Sequence, residues 1–302
     1  MDVKRLFFLL FSGALLALAL TGCQPKVKKR SDDRPLVIVS IPPYMEIVKA
    51  IADDTVDVES VISVGYNPHV SEITPRQMEL VQQADLWIGV GESYEKKLLT
   101  TLRQSQSRIQ IIQINEKIPL LSFAEDTNFV DACQDINLPL KESKDIHFWL
   151  SPKRLKLQAM IIAEGLIQLQ PHKEMEYKNN LKTYLRLLED ADQKLIDLLR
   201  PFRGSAIVVS HAALGYFCYD YSLVQIAVEC EGKSPLPQNV RAVLKLARNS
   251  NTQCVFTFPG HNNKGALLIA QHLNLKTYEI DPLNTNLIST IEQIATDITA
   301  QP

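Results

Sequence analysis

Short apolar runs rich in β-branched residues, each followed by a helical stretch, most constrain this chain. Leu36-Val37-Ile38-Val39-Ser40 is too short for a stable helix and apolar on both faces, which suits a strand buried in a parallel sheet. Tyr44 to Ala52 then reads as a helix, and Val56 to Val64 as a second strand. Thr74-Pro75-Arg76-Gln77 opens another helix. Thr74 caps free N–H groups, Pro75 suits the first turn, and Gln77 completes a capping box. Leu86 to Val90 and Ile109 to Ile114 are further strands. The repeated strand–helix order predicts an α/β fold with mostly parallel sheets.

Residues 116 to 146 are less regular. Ser151-Pro152 starts a helix with Leu155, Ile162, Leu166 and Leu169 on one side, and His172 to Leu199 reads as the longest helix. At about 1.5 Å per residue it spans roughly 42 Å, long enough to run past two lobes. Pro201 and Gly204 end it. Ser205 to Val209, Cys254 to Phe258 and Lys276 to Ile280 are strands of a second α/β unit, whose helices are Val240 to Ala247, Ala266 to Leu273 and Leu287 to Ile298.

The amino terminus reads as an address. A basic start, Met1 to Arg5, precedes the apolar run Leu6 to Leu20, the pattern of a secretory signal and too short for a membrane span. Leu20-Thr21-Gly22-Cys23 resembles the lipobox of bacterial lipoproteins, which implies cleavage before Cys23 and its acylation. The expected organisation is a signal peptide (1–22), a lipid-anchored tether (23–35), a first lobe (36–171), a linking helix (172–200) and a second lobe (201–302). The mature protein is then expected outside the cytoplasm, held to a membrane by more than one acyl chain. The remaining cysteines, Cys133, Cys218, Cys230 and Cys254, form no C-x-x-C pair and give little support to a thiolate zinc site. In an exported chain they allow three full disulfide connectivities, among which Cys218 with Cys230 is conceivable. A net charge of −2 argues against a nucleic-acid partner.

Several polar residues fall where an α/β sheet presents ligands, beyond the carboxyl ends of its strands. Val56 to Val64 leads to Gly65-Tyr66-Asn67-Pro68-His69, and Ser205 to Val209 ends at Ser210-His211. Lys276 to Ile280 ends at Asp281-Pro282, and His147 lies just before the Ser151-Pro152 helix start. Three imidazoles and a carboxylate suit zinc or another borderline divalent ion. Taken singly, a loop histidine is ordinarily solvated or hydrogen-bonding, and Asp281 before Pro282 can simply open a turn. Only convergence in space makes these residues a site.

The strings that carry these residues resemble the metal-binding lipoproteins of ABC importers, the zinc- and manganese-type solute-binding proteins. SIPPYMEIVKAIADDTVDVESVISVGYNPHVSEITPRQMELVQQADLWIGVGESYEKKL is similar to that family's amino-terminal block. DIHFWLSP, VVSHAALGYFCYDYSL and YEIDPL follow in the family's order. The resemblance implies two α/β lobes joined by one long helix, with His69 and His147 from the first lobe and His211 and Asp281 from the second as metal ligands. It also implies delivery of the ion to a membrane permease driven by an ATPase, by a protein expected to be monomeric and not an enzyme. Zinc is the first choice of ion, with manganese and iron as alternatives.

This chain departs from the family pattern. Ala212 stands where an Asp often follows the third ligand histidine. Thr257-Phe258-Pro259-Gly260 occupies a stretch where the family usually has a Glu, and the histidine-rich loop of many zinc members is absent. His261 follows that stretch and is a candidate auxiliary donor. His172 and His272 read as bland, and Trp87 as core. A zinc-dependent hydrolase is the alternative from another class, but no H-E-x-x-H string occurs and four protein ligands would leave no open position for water. An added adhesin role is compatible with surface exposure.

Overall fold

The structure is a computed structural model that describes residues 34–104, 108–122, 129–131, 144–229 and 237–300. The expected signal segment, Cys23, Cys133 and Cys230 lie outside the described residues.

The first sheet is built from β1 (Leu36–Val39), β2 (Asp57–Ser60), β3 (Leu86–Gly89) and β4 (Gln110–Gln113). Its order is β2-β1-β3-β4 with every pair parallel. Helices α1 (Tyr44–Ala52), α2 (Pro75–Gln82) and α3 (Glu95–Gln104) alternate with these strands, and α4 (Pro152–Leu169) follows. All four residues of β1 and of β3 are buried, which is why both read as unbroken apolar runs rather than alternating ones. The predicted capping box at Thr74 and Gln77 is formed. The strand expected over Val56 to Val64 is shorter, because the chain turns beyond Ser60 toward the one-turn segment Pro68–Val70.

The second sheet contains β5 (Phe129–Asp131), β6 (Ala206–Val209), β7 (Val224–Ala227), β8 (Thr252–Thr257) and β9 (Thr277–Glu279). Its order is β5-β7-β6-β8-β9, again wholly parallel. Helices α6 (Gly215–Tyr221), α7 (Pro237–Asn249), α8 (Lys264–Leu273) and α9 (Leu287–Thr299) connect it. Strand β5 falls in the stretch 36–171, yet it pairs with β7, so the chain visits the second sheet once before the long helix.

That long helix is α5 (Glu174–Leu199), preceded by a tight turn at Pro171–Lys173. It packs on α1 and α4 of the first half and on α9 of the second. One apolar cluster runs from Val37 and Trp87 through Leu166, Leu188 and Leu195 to Phe256 and Ile291, so both sheets and the long helix share a core. A smaller cluster, including Val208, Val243 and Ile269, fills the other face of the second sheet. The fold is the one expected: two α/β lobes with parallel sheets joined by one long helix.

Glu46 ties these parts together. Its carboxylate accepts the Tyr184 hydroxyl of α5 at 3.0 Å and the backbone N–H of Leu287, the first residue of α9, at 2.5 Å. A carboxylate there also faces the positive end of the α9 dipole. Burial nonetheless raises its pKa above the ordinary 4.5, against the lowering effect of these donors. Replacing Glu46 by Ala strands a buried N–H and should lower stability by about 1–3 kcal/mol in urea unfolding. A carboxyl whose folded pKa lies above its unfolded value holds extra protons when folded. Its contribution is therefore full below 4.5 and declines as pH rises through the raised value. The gap between wild type and Glu46→Ala should be wider in mildly acid than in mildly alkaline buffer. An equal gap at both would contradict this assignment.

Candidate metal centre

In each sheet the chain steps from a central strand to one side and then returns to the other. The crossings at β1/β3 and β6/β8 are the topological switch points at which α/β sheets hold ligands. His211 lies two residues past β6, and Glu92 three residues past β3. His69 sits in the one-turn segment after β2, where Asn67 accepts its backbone N–H at 3.0 Å and Pro68 fixes the first turn. His147 is held by Asp145, whose Oδ1 accepts both the backbone N–H and Nδ1–H of His147 at 2.8 Å.

These elements bring three imidazoles together. The Nε2 atoms of His69 and His147 are 3.1 Å apart, those of His69 and His211 3.1 Å, and those of His147 and His211 3.3 Å. A tetrahedral ion with Zn–N bonds of about 2.0–2.1 Å needs nitrogens roughly 3.3 Å apart. The triangle is thus close to one face of such a tetrahedron.

A carboxylate stands on the far side of every ring. Glu92 Oε2 accepts from His69 Nδ1 at 3.0 Å, Asp145 Oδ1 accepts from His147 Nδ1, and Glu229 Oε2 lies 3.3 Å from His211 Nδ1. Ionised Glu92 and Glu229 only accept, and Asp145 Oδ1 is the oxygen that already accepts the His147 backbone N–H, so each Nδ1 carries the hydrogen and the Nε2 lone pairs face one another. Three converging lone pairs repel unless a cation or a proton stands among them. Sequence reasoning singled out none of these carboxylates. Asp145 and Glu92 lay in strings already marked, and Glu229 stands where strand β7 delivers it, beside the third histidine.

The titration behaviour follows from burial and these partners. Burial lowers His147 and His211 to about 3, and neighbouring histidines add to the effect. Burial also pushes His69 down, but the hydrogen bond and charge of Glu92, with the charges of Asp145 and Glu229, outweigh it and the net shift is upward. Burial raises the Asp145 carboxyl to about 7. Burial works against ionised Glu229 as well, but its contacts with His211 and His261 hold it at about 2.

Asp281, the fourth expected donor, belongs to neither metal-competent group of His, Cys, Asp and Glu side chains among the described residues. Its Oδ2 accepts the N–H of Gly65 at 3.0 Å, and its Oδ1 the N–H of Leu283 at 2.8 Å. It therefore bridges the loop that leads to His69 and the end of β9. Trp149 makes a parallel tie, donating to the Pro282 carbonyl at 2.9 Å. His261 lies in the second group, with His211 and Glu229. His272 bonds back to the Leu268 carbonyl of its own helix, and Trp87 is buried against Ser40, in line with their bland readings. A Cβ at Gly215 would come within 2.4 Å of Asp145 Oδ2, so a larger residue there would push that carboxylate aside.

A family model described as the periplasmic component A of a zinc-uptake complex matches residues 37–300. A Chlamydia trachomatis protein provisionally named as metal-binding is 29% identical over 295 residues, covering 97% of this chain and 98% of its own. The high-affinity zinc uptake system protein ZnuA of Yersinia pestis is 24% identical over 269 residues, 83% of this chain and 84% of that one. A crystal structure of ZnuA is 28% identical with a TM-score of 0.78, over 88% of this chain and 98% of that one.

In metal-free protein, proton–nitrogen NMR should show His69 titrating above the ordinary 6.5, while His147 and His211 stay neutral down to about 3. Glu92→Gln removes the group that raises His69 and should move its midpoint to lower pH. A His69 midpoint unmoved by that change would refute the pairing.

Proposed function

The chain belongs to the family of periplasmic A components of zinc-uptake complexes, and from that premise we propose that His69, His147 and His211 capture a divalent transition-metal ion. Members of this family are solute-binding transport components, which sets aside the hydrolase reading. The observation that carries the proposal is the triangle of Nε2 atoms at 3.1–3.3 Å with a carboxylate behind each ring. Zinc is the first choice, because three imidazoles and a near-tetrahedral face suit it; manganese and iron are the alternatives.

Asp281 completes the donor set in this reading by exchanging the Gly65 N–H for the ion. The swap would free the loop that carries His69, so occupancy and the lobe contact are coupled. Release falls to the partner: docking on an ABC permease pulls the lobes apart, and its ATPase drives the cycle. The shared core and long helix favour small adjustments around the site over a wide hinge. The protein acts outside the cytoplasm, anchored by acylated Cys23, as a monomer.

Two of the three rings are neutral before the ion arrives, so protons compete at His69. Affinity should decline as acid protonates that ring, by about tenfold per pH unit once it is mostly protonated. Carboxylates behind ligating imidazoles typically contribute 10–100-fold to affinity, so Glu92→Gln or Glu229→Gln should weaken zinc by about that factor. His69→Ala or His211→Ala should weaken it by roughly 100-fold or more, in competition titrations against a chromogenic chelator. Zinc at 100 times its dissociation constant should stabilise the wild type by about 2.7 kcal/mol. Wild-type zinc affinity retained by His69→Ala would overturn the proposal.

A further inference from the structure

On the second-lobe side of the imidazole triangle stands another set of donors. Ligand atoms of His211, Glu229 and His261 lie within 4.8 Å of one another. Glu229 follows β7 and His261 follows β8, so the second sheet alone supplies all three. The His261 ring stacks on His211 with centroids 4.4 Å apart and planes 25° from parallel. Glu229 Oε2 accepts from His261 Nδ1 at 3.1 Å, and Oε1 accepts the backbone N–H of Asn262 at 2.9 Å. The Asn67 amide nitrogen lies 3.5 Å from His261 Nδ1. A Cβ at Gly260 would meet the Asn67 nitrogen at 3.1 Å and the Gly65 oxygen at 3.2 Å. The loop carrying His261 thus lies directly against the loop carrying His69.

We propose that His211, Glu229 and His261 form a second, overlapping position for the same divalent ion, filled in alternation with the triangle of His69, His147 and His211. This rests on reading that triangle as a metal site. Two imidazoles and one carboxylate are a recognised donor set for zinc and for iron(II) or manganese(II) ions. The alternation follows from His211, since a neutral imidazole offers one lone pair at a time. With Nδ1–H toward Glu229, the ring presents its Nε2 lone pair to the triangle. With the ion on Nδ1, the hydrogen moves to Nε2 through solvent. His261 makes the same exchange, so no net proton is released. The Nε2–H of His211 then points at the nitrogens of His69 and His147, 3.1 and 3.3 Å away, and can donate to either. One tautomer therefore holds the ion in the triangle. The other holds it in the second set and replaces the missing cation with a hydrogen bond. The second position is the more buried of the two, with the His261 side chain 6% exposed against 22% for His69, so it is an alternative seat for the ion within the second lobe.

The test removes the triangle and asks what remains. Metal-stripped full-length chain carrying His69→Ala and His147→Ala breaks the triangle and keeps the second set whole. It should bind one equivalent of zinc more weakly than wild type, yet about tenfold or more tighter than the same protein with His261→Ala added. Equal zinc binding by the double and triple variants would overturn the proposal. That comparison is independent of the triangle reading, which stands or falls on the single His69→Ala variant. Should the double variant fail to fold, as judged by its thermal melt, the question passes to His261→Gln in the wild-type background. Long-range proton–nitrogen NMR of the zinc-loaded wild type should show a minor His211 form metallated at Nδ1 that this change removes, and no such form, or one that persists, would refute the second position.

Discussion

Three imidazole nitrogens facing one another are an unfavourable arrangement unless something positive stands between them, and the carboxylates behind the rings impose it. Glu92, Asp145 and Glu229 direct each ring's Nδ1 outward and each Nε2 inward. Burial prevents two of the rings from escaping the conflict by protonation. The third, His69, keeps a raised pKa because Glu92, with the charges of Asp145 and Glu229, outweighs its desolvation. A divalent ion resolves the repulsion for all three rings at once, which is why a site of this type can be both preformed and selective for cations.

The fold makes that convergence possible. Parallel strands deliver their carboxyl ends to one edge, and each sheet has a switch point at which neighbouring loops diverge and leave a crevice. The long helix and the common apolar core fix the two edges opposite each other. Contacts across the crevice then lock its sides: Gly65 to Asp281, Trp149 to Pro282, and Glu46 to the start of α9. Asp145 depends on the other side too, since Tyr216 of α6 donates to its carbonyl and Gly215 leaves room for its carboxylate. A site assembled from so many segments needs a rigid frame.

Much of this was legible in the sequence for definite reasons. Strands buried on both faces announce themselves as unbroken apolar runs, which makes β1, β3, β6 and the Cys254-Val255-Phe256 part of β8 legible. The Thr74 capping box and the long amphipathic helix carried equally local signals. Strand β7 escaped because Gln225 interrupts it. That glutamine is buried, and its side-chain oxygen accepts the Leu214 N–H, a tertiary role invisible to local pattern. Strand β5, three residues long, escaped for want of length. Loop position nominated the three histidines, but the family resemblance gathered them, since separations of 64 and 78 residues say nothing about distance. The carboxylates behind the rings were harder still. Nothing near Glu229 in the chain marks it, because its partners His211 and His261 arrive after two other strands, β6 and β8. Asp281 shows the converse: its loop was read correctly, and its carboxylate is engaged by backbone N–H groups.

The central claim is that each ring carries its hydrogen on the outward nitrogen and offers the inward one to the ion. Long-range proton–nitrogen NMR on the zinc-loaded protein tests this most directly. The account predicts that His69, His147 and His211 each show a protonated Nδ1 and a metal-shifted Nε2. Metal-shifted Nδ1 in His69 or His147, a His211 ring metallated mainly at Nδ1, or rings untouched by zinc, would contradict it.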